Sequence, residues 1–377
     1  MRRRPLRTED AIALGRMLLD RDLYEASPLV ERLKAGVQLS RTERKKISGG
    51  PLVLCLMDLS FSLRFHDAQM MVQFAEAACS EAVRLPDRRY GEEVAADLRA
   101  RAWAELGNAY RVADRLTEVG PALSQARYYL LKGSGAPELL ARFTELMGSY
   151  LVELRRFGDA EQELNLAAEL YDEIGSVEGR LRAQVMLGHV LTQAFEPERA
   201  CIVYLRLFGS IELDSPHLLA VVHGLILNLA EAGHSSMAER LLHRYRPLYR
   251  RSGNLMKFRL TWLEGKIAKG LGQFGLAESK LNVAWLAYQR ANKIYDSAQV
   301  ALELAWVYAR QHRHQETVWL VDGIIRIFSS LGIAREALLS LALLRKSCLQ
   351  ERSVEVLCGQ IEVLLRMIPE LRPRSQD

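Results

Sequence analysis

The stretch RAWAELGNAY, residues 101–110, decides the fold. Trp103, Leu106, Gly107 and Tyr110 follow one another at spacings of three, one and three. On a helix Trp103, Leu106 and Tyr110 fall on one face, because i, i+3 and i+7 line up. Gly107 beside them leaves room for a second helix to approach. The segment therefore reads as the first helix of a close-packed pair.

The same grammar recurs along the chain. In MGSYLVELRRFGDAEQELNLAAELY (147–171) and LGHVLTQAFEPERACIVYL (187–205) an apolar residue precedes a glycine, as Leu106 precedes Gly107. Twelve residues after each glycine stand Val119, Ala160 and Ala200, and four further on Leu123, Leu164 and Tyr204. Weaker copies start at Leu56, Ile226, Gly265 and Ala305. The anchors 56, 107, 148, 188, 226, 265 and 305 are separated by 51, 41, 40, 38, 39 and 40 residues. A period of about forty is the mark of stacked helical units.

The pattern resembles the tetratricopeptide repeat family, whose signature is W-x2-L-G-x2-Y followed by Ala, Phe, Ala and Pro positions. Trp103, Leu106, Gly107, Tyr110 and Ala126 match one unit. Gly148, Phe157, Ala160, Leu164 and Ala167 match a second, and Phe274, Ala277, Leu281 and Ala284 the back half of another. The period exceeds the family's usual 34 residues, and the closing proline is missing, so longer helices or loops are expected. The resemblance implies an all-α fold, an α-solenoid of stacked antiparallel helix pairs in a right-handed superhelix.

Residues 49–366 are assigned to this array, with capping helices at its C-terminal end, 353–368 forming the last cap. Residues 367–377 are expected to be a disordered tail. Residues 1–48 lack the period. They predict a small helical segment with a basic arm (RRRPLR, 2–7), two short helices, the second begun by Pro28, and a charged connector, SRTERKKISGG (40–50). A cap on the array and a separate binding module both remain open for this segment. The basic arm would suit phosphate contacts.

Composition narrows the function. Hydrophobic residues make up 49% and charged residues 26% of 377, which is ordinary for a globular chain. The net charge of +5 permits an acidic partner without demanding nucleic acid. Five scattered cysteines with no CxxC read as buried thiols in a reducing cytoplasm. Glu9 and Asp10 interrupt the start too early for a signal peptide, and no run of about 18 apolar residues predicts a membrane span.

Catalytic signatures are missing: no G-x-S-x-G, H-E-x-x-H, P-loop or dinucleotide fingerprint occurs. His312 and His314, two apart, do not share a helix face. No enzyme activity, metal or cofactor is expected.

Surface recognition remains. The resemblance implies that the first helix of each unit lines a concave groove, with positions two, five, nine and twelve turned into it. Position two holds Arg101, Arg142, Arg182 and Arg259, and position five Glu145, His223 and Trp262 or Leu263 among others. Position nine holds Asn108, Ser149, His189 and Lys266, and position twelve Arg111 and Lys269. Candidate partner-binding residues are therefore Arg101, Asn108, Arg111, Arg142, Ser149, Arg182, His189, Arg259 and Lys266. The arginine row suits an acidic, extended peptide. It equally suits pairing with glutamates of adjacent units such as Glu105 and Glu145. Ala104 stands where a chaperone-tail carboxylate clamp would need lysine. The expectation is a scaffold or adaptor that binds a protein or peptide in its groove. A peptide-sensing transcriptional regulator whose N-terminal segment contacts DNA is the alternative.

Overall fold

The computed structural model describes residues 8–34, 40–64, 67–250, 253–291 and 293–330. The basic arm, the C-terminal caps and the tail lie outside these residues. Seventeen helices, and no strand, form among the described residues. They are α1 (Thr8–Lys34), α2 (Arg41–Lys46), α3 (Gly50–Ser62), α4 (Ala68–Arg84), α5 (Asp87–Tyr90) and α6 (Glu92–Val112). Next come α7 (Leu116–Leu130), α8 (Pro137–Glu153), α9 (Phe157–Glu173), α10 (Val177–Gln193), α11 (Pro197–Ser210) and α12 (Leu218–Glu231). The last are α13 (Ser235–Arg250), α14 (Asn254–Gly270), α15 (Phe274–Arg290), α16 (Ile294–Arg310) and α17 (His314–Ser330).

Every anchor of the forty-residue period falls in a first helix: α3, α6, α8, α10, α12, α14 and α16. The second helices are α4, α7, α9, α11, α13, α15 and α17. Their repeat positions form the cores. Val119, Ala160, Ala200, Ala238, Ala277 and Thr317 are all buried, as are Leu123, Leu164, Tyr204, Leu242, Leu281 and Val321 four residues on. Gly107 does what its position requires: a Cβ there would sit 3.1 Å from Leu123 Cδ2. At Gly265 the equivalent distance, to Leu281, is 2.8 Å. The long first interval has a cause, since the four-residue α5 is inserted and α6 runs to 21 residues.

The turn inside the pair repeats in six of the seven pairs, the exception being α3–α4, where Leu63 has a φ of −86°. Seven residues after the anchors stand Asp114, Arg155, Phe195, Gly233, Gly272 and His312, all with φ between 59° and 83°. The next residue's N–H closes the turn onto the helix, as Glu196 N does on Leu191 O (3.0 Å) and Arg313 N on Tyr308 O (2.9 Å). Left-handed backbone strains any residue with a Cβ. His312→Gly is therefore expected to stabilise its unit by about 1 kcal/mol. Gly272→Ala, where a Cβ would meet nothing within 4 Å, is expected to cost about the same. Chemical denaturation of the two variants checks the pair.

The chain divides into two compact units. One comprises 1–153 and 162–180, the other 154–161 and 181–377. In the first, α1 packs on α3, α5 and α6. Tyr90, 1% exposed, donates its hydroxyl to Asp22 Oδ2 (2.7 Å) and accepts from Gly50 N (3.3 Å). Arg89 adds two bonds to the same carboxylate oxygen, at 3.0 and 2.8 Å. Here α1 is one helix of 27 residues, not the two short ones expected. Pro28 removes one helical hydrogen bond, but on the exposed side of the helix, where water can satisfy the freed carbonyl. On the other side Ala26, fully buried, continues the packing against Ile47, Leu29 and Val30. The charged connector also contains structure: Ser40 and Glu43 cap α2 reciprocally, Ser40 N donating to Glu43 Oε2 and Glu43 N to Ser40 Oγ.

Among the described residues of the second unit, most of the core lies in two clusters. One centres on Tyr204, Leu225, Ile226 and Tyr249, the other on Leu281, Leu304 and Val321.

Candidate ligand face

With the anchor as zero, positions two, five, nine and twelve are −6, −3, +1 and +4. These fall on one side of a helix. The two units use that side differently.

In the first unit the charges of Arg142, Glu105, Glu145 and Arg111 are paired internally. Arg142 donates from Nε and Nη2 to the two oxygens of Glu105 (2.8 and 3.1 Å). Its Nη1 lies 2.9 Å from Glu145 Oε1. Tyr171 donates to Glu145 Oε2 (2.6 Å). Glu105 and Glu145 are buried. Burial pushes the Glu105 carboxyl up, but Arg142, through charge and hydrogen bonds, and Arg101 outweigh it and hold the group below its ordinary value. Arg142 is likewise raised, its two carboxylates overcoming its burial. Arg111 Nη2 donates to Asn108 Oδ1 (3.0 Å), and Nη1 reaches Glu153 (3.4 Å). Ser149 donates to Glu145 O within its own helix (3.0 Å). Of the five residues singled out here, Asn108 and Ser149 are buried, Arg142 and Arg111 are ion-paired, and Arg101 is exposed.

The second unit carries a mixed basic and aromatic surface on α10, α12, α14 and α16. Asn228, fully buried, ties α12 to α10 by donating to Thr192 Oγ1 (2.8 Å) and also donates to Gly224 O (2.8 Å). Lys266, only 5% exposed, contacts Glu231 and lies 2.8 Å from Glu303 Oε1. Lys269 is 3.3 Å from Glu303 Oε2, and Trp262 Nε1 donates to Glu303 Oε1 (2.8 Å). Burial drives the Glu303 carboxyl up, yet Lys266 and Lys269 bring it below its usual range. Lysine ammonium groups sit 5.4 Å from the Trp262 ring and 5.3 Å from the Trp306 ring. Trp262 rather than Leu263 occupies position five, because Leu263 is buried at 1% exposure.

His189 and Arg259 are exposed on this side, and Arg182 is partly buried. His223 lies between the flanking helices, with its Nδ1 3.2 Å from the Tyr249 hydroxyl. Burial, Arg259 and His189 together push its imidazole down to about 3, so it is neutral at pH 7. Glu231, Glu303, Asn228 and Tyr249 were not among the sequence candidates. The first three lie one residue from a groove position or just past the last, and Tyr249 is on a second helix.

Among the described residues no group of three or more His, Cys, Asp or Glu side chains is placed to hold a metal ion, and no helix is long and apolar enough to cross a membrane. Cys55, Cys79 and Cys201 are buried free thiols, and burial raises all three.

The sequence matches no protein-family model and no curated protein. Solved structures are similar in fold. A Rap protein complexed with competence and sporulation factor superposes with a TM-score of 0.66 at 14% identity, covering 84% of this chain and 88% of that one. Aspartyl phosphate phosphatase F from Bacillus subtilis gives 0.56 at 13% identity, over 73% and 70% of the two chains. A tetratricopeptide repeat protein from Parabacteroides merdae gives 0.47 at 15% identity, over 80% and 100%. The chain thus has the all-α fold of helix pairs shared with the Rap protein and with aspartyl phosphate phosphatase F.

Proposed function

We propose that the chain is a binding scaffold, without turnover, that takes a peptide or extended partner segment on the first-helix face of its second unit. One observation carries this. In the first unit Arg142 is closed off by Glu105 and Glu145 and only Arg101 is exposed, whereas the second unit, beside its Lys266–Glu303 network, presents His189 and Arg259, with Arg182 and His223 partly buried, next to Trp262 and Trp306. Rigid helices hold these groups at one-helix intervals, which suits an extended chain lying across them. The similarity in fold to a Rap protein crystallised with a competence and sporulation factor supports the binding-scaffold reading.

Photo-crosslinking tests it. Benzoylphenylalanine replaces Arg182 or Leu227 on first helices, and Leu205 or His243 on second helices. The full chain is then irradiated with a randomised peptide library. Adducts are expected from positions 182 and 227 and not from 205 and 243. Equal yields at all four positions, or adducts confined to the second helices, would refute the assignment.

A further inference from the structure

His189, His223 and Arg259 stand on three successive first helices, α10, α12 and α14, at register positions +1, −3 and −6. All three positions belong to the same helix side. Among the described residues Arg259 makes no ion pair; its guanidinium touches Met256 Sδ (3.9 Å) and the Tyr288 hydroxyl. The hydrogen bonding of His223 fixes its tautomer. The Tyr249 side chain is fully buried, and a buried phenol needs an acceptor. His223 Nδ1 is that acceptor, at 3.2 Å, so the ring proton resides on Nε2, on the far side of the imidazole. A neutral donor and a guanidinium are thereby held on successive first helices, and the His189 imidazole on a third is near enough to act on His223. The charged groups that act on His223 are Arg259 and His189, both basic; no carboxylate is among them.

We propose that His189, His223 and Arg259 form an anion subsite that receives a carboxylate of the bound peptide. Arg259 supplies the charge and His223 Nε2–H a directed hydrogen bond. This rests on the ligand face proposed above and adds the chemistry that face selects. It confines to the second unit the acidic-peptide preference that the arginine row Arg101, Arg142, Arg182 and Arg259 spreads over both. The carboxylate can be a side chain or a C-terminus, and the test separates them.

Three capped peptides serve as probes against the full chain, read by imidazole 15N resonances at pH 7. Acetyl-pentaalanine with a free C-terminus carries a terminal carboxylate. An amidated acetyl-pentapeptide of alanines with a central glutamate carries a side-chain one. Amidated acetyl-pentaalanine is the neutral control. His223 is expected to show the Nε2–H tautomer in the free protein. One or both carboxylate peptides should shift His223 and His189, the neutral peptide should not, and Arg259→Gln should weaken the response about tenfold. Arg259 is exposed, so this variant folds, and thermal unfolding verifies that. Identical behaviour of charged and neutral peptides, no response to any, or an unaffected Arg259→Gln would overturn the subsite. Should the neutral peptide bind equally while crosslinks still form at positions 182 and 227, only the subsite falls. Should the imidazoles stay silent and those crosslinks fail as well, the ligand face falls with the subsite.

Discussion

Arg142→Ala lowers the stability of the first unit by about 3–5 kcal/mol, the cost of leaving buried carboxylates without their cation. Two are stranded at once, since Glu105 and Glu145 both turn to this guanidinium at 2.8 and 2.9 Å. Arg101→Ala, at the equivalent position one unit earlier but exposed, changes stability by no more than about 0.5 kcal/mol. Urea titrations of the two variants separate a structural from a ligand-binding arginine. A small loss for Arg142→Ala accompanied by lost peptide capture would reassign it to the ligand. The network also sets an acid limb. The folded Glu105 carboxyl lies below its ordinary value of 4.5. Its stabilisation is therefore complete above that value and disappears as the pH falls through the lowered one. Glu105→Gln should flatten that part of the pH–stability curve.

Tyr204→Ala costs the second unit about 3–5 kcal/mol. The ring, 4% exposed, lies between two glycines. A Cβ on Gly188 would come 2.6 Å from it, and one on Gly224 2.2 Å. The other units place a smaller leucine here, as at Leu123, Leu164 and Leu281. The larger ring demands a second glycine, on the neighbouring first helix. Gly224→Ala alone should cost about 1–3 kcal/mol by overpacking. In a Tyr204→Leu background most of that penalty should vanish, and a thermal-unfolding double-mutant cycle measures the coupling.

These cases show what the sequence carries. The forty-residue spacing places the helix pairs because glycine, alanine and leucine recur at fixed offsets, and those offsets are packing demands local to each pair. The left-handed turn was hidden, since Asp114, Arg155, Phe195 and His312 share no chemistry with Gly233 and Gly272; only the backbone is common. The long α1 was also hidden, because an exposed proline does not break a helix that is held on its other side. At the proposed ligand face, position numbers assign His223 and Trp262 to one helix side. They could not rank Arg142 against Arg259. That depends on Glu105, Glu145 and Tyr171, which approach from other turns and helices to occupy one arginine, while the other has no ion pair among the described residues.

The most direct test of the account is amide hydrogen exchange of the full chain with and without a peptide recovered from the crosslinking library. Added protection is predicted in α10, α12 and α14, with α6 and α8 unchanged. Protection centred on α6 and α8, or confined to second helices, would contradict it.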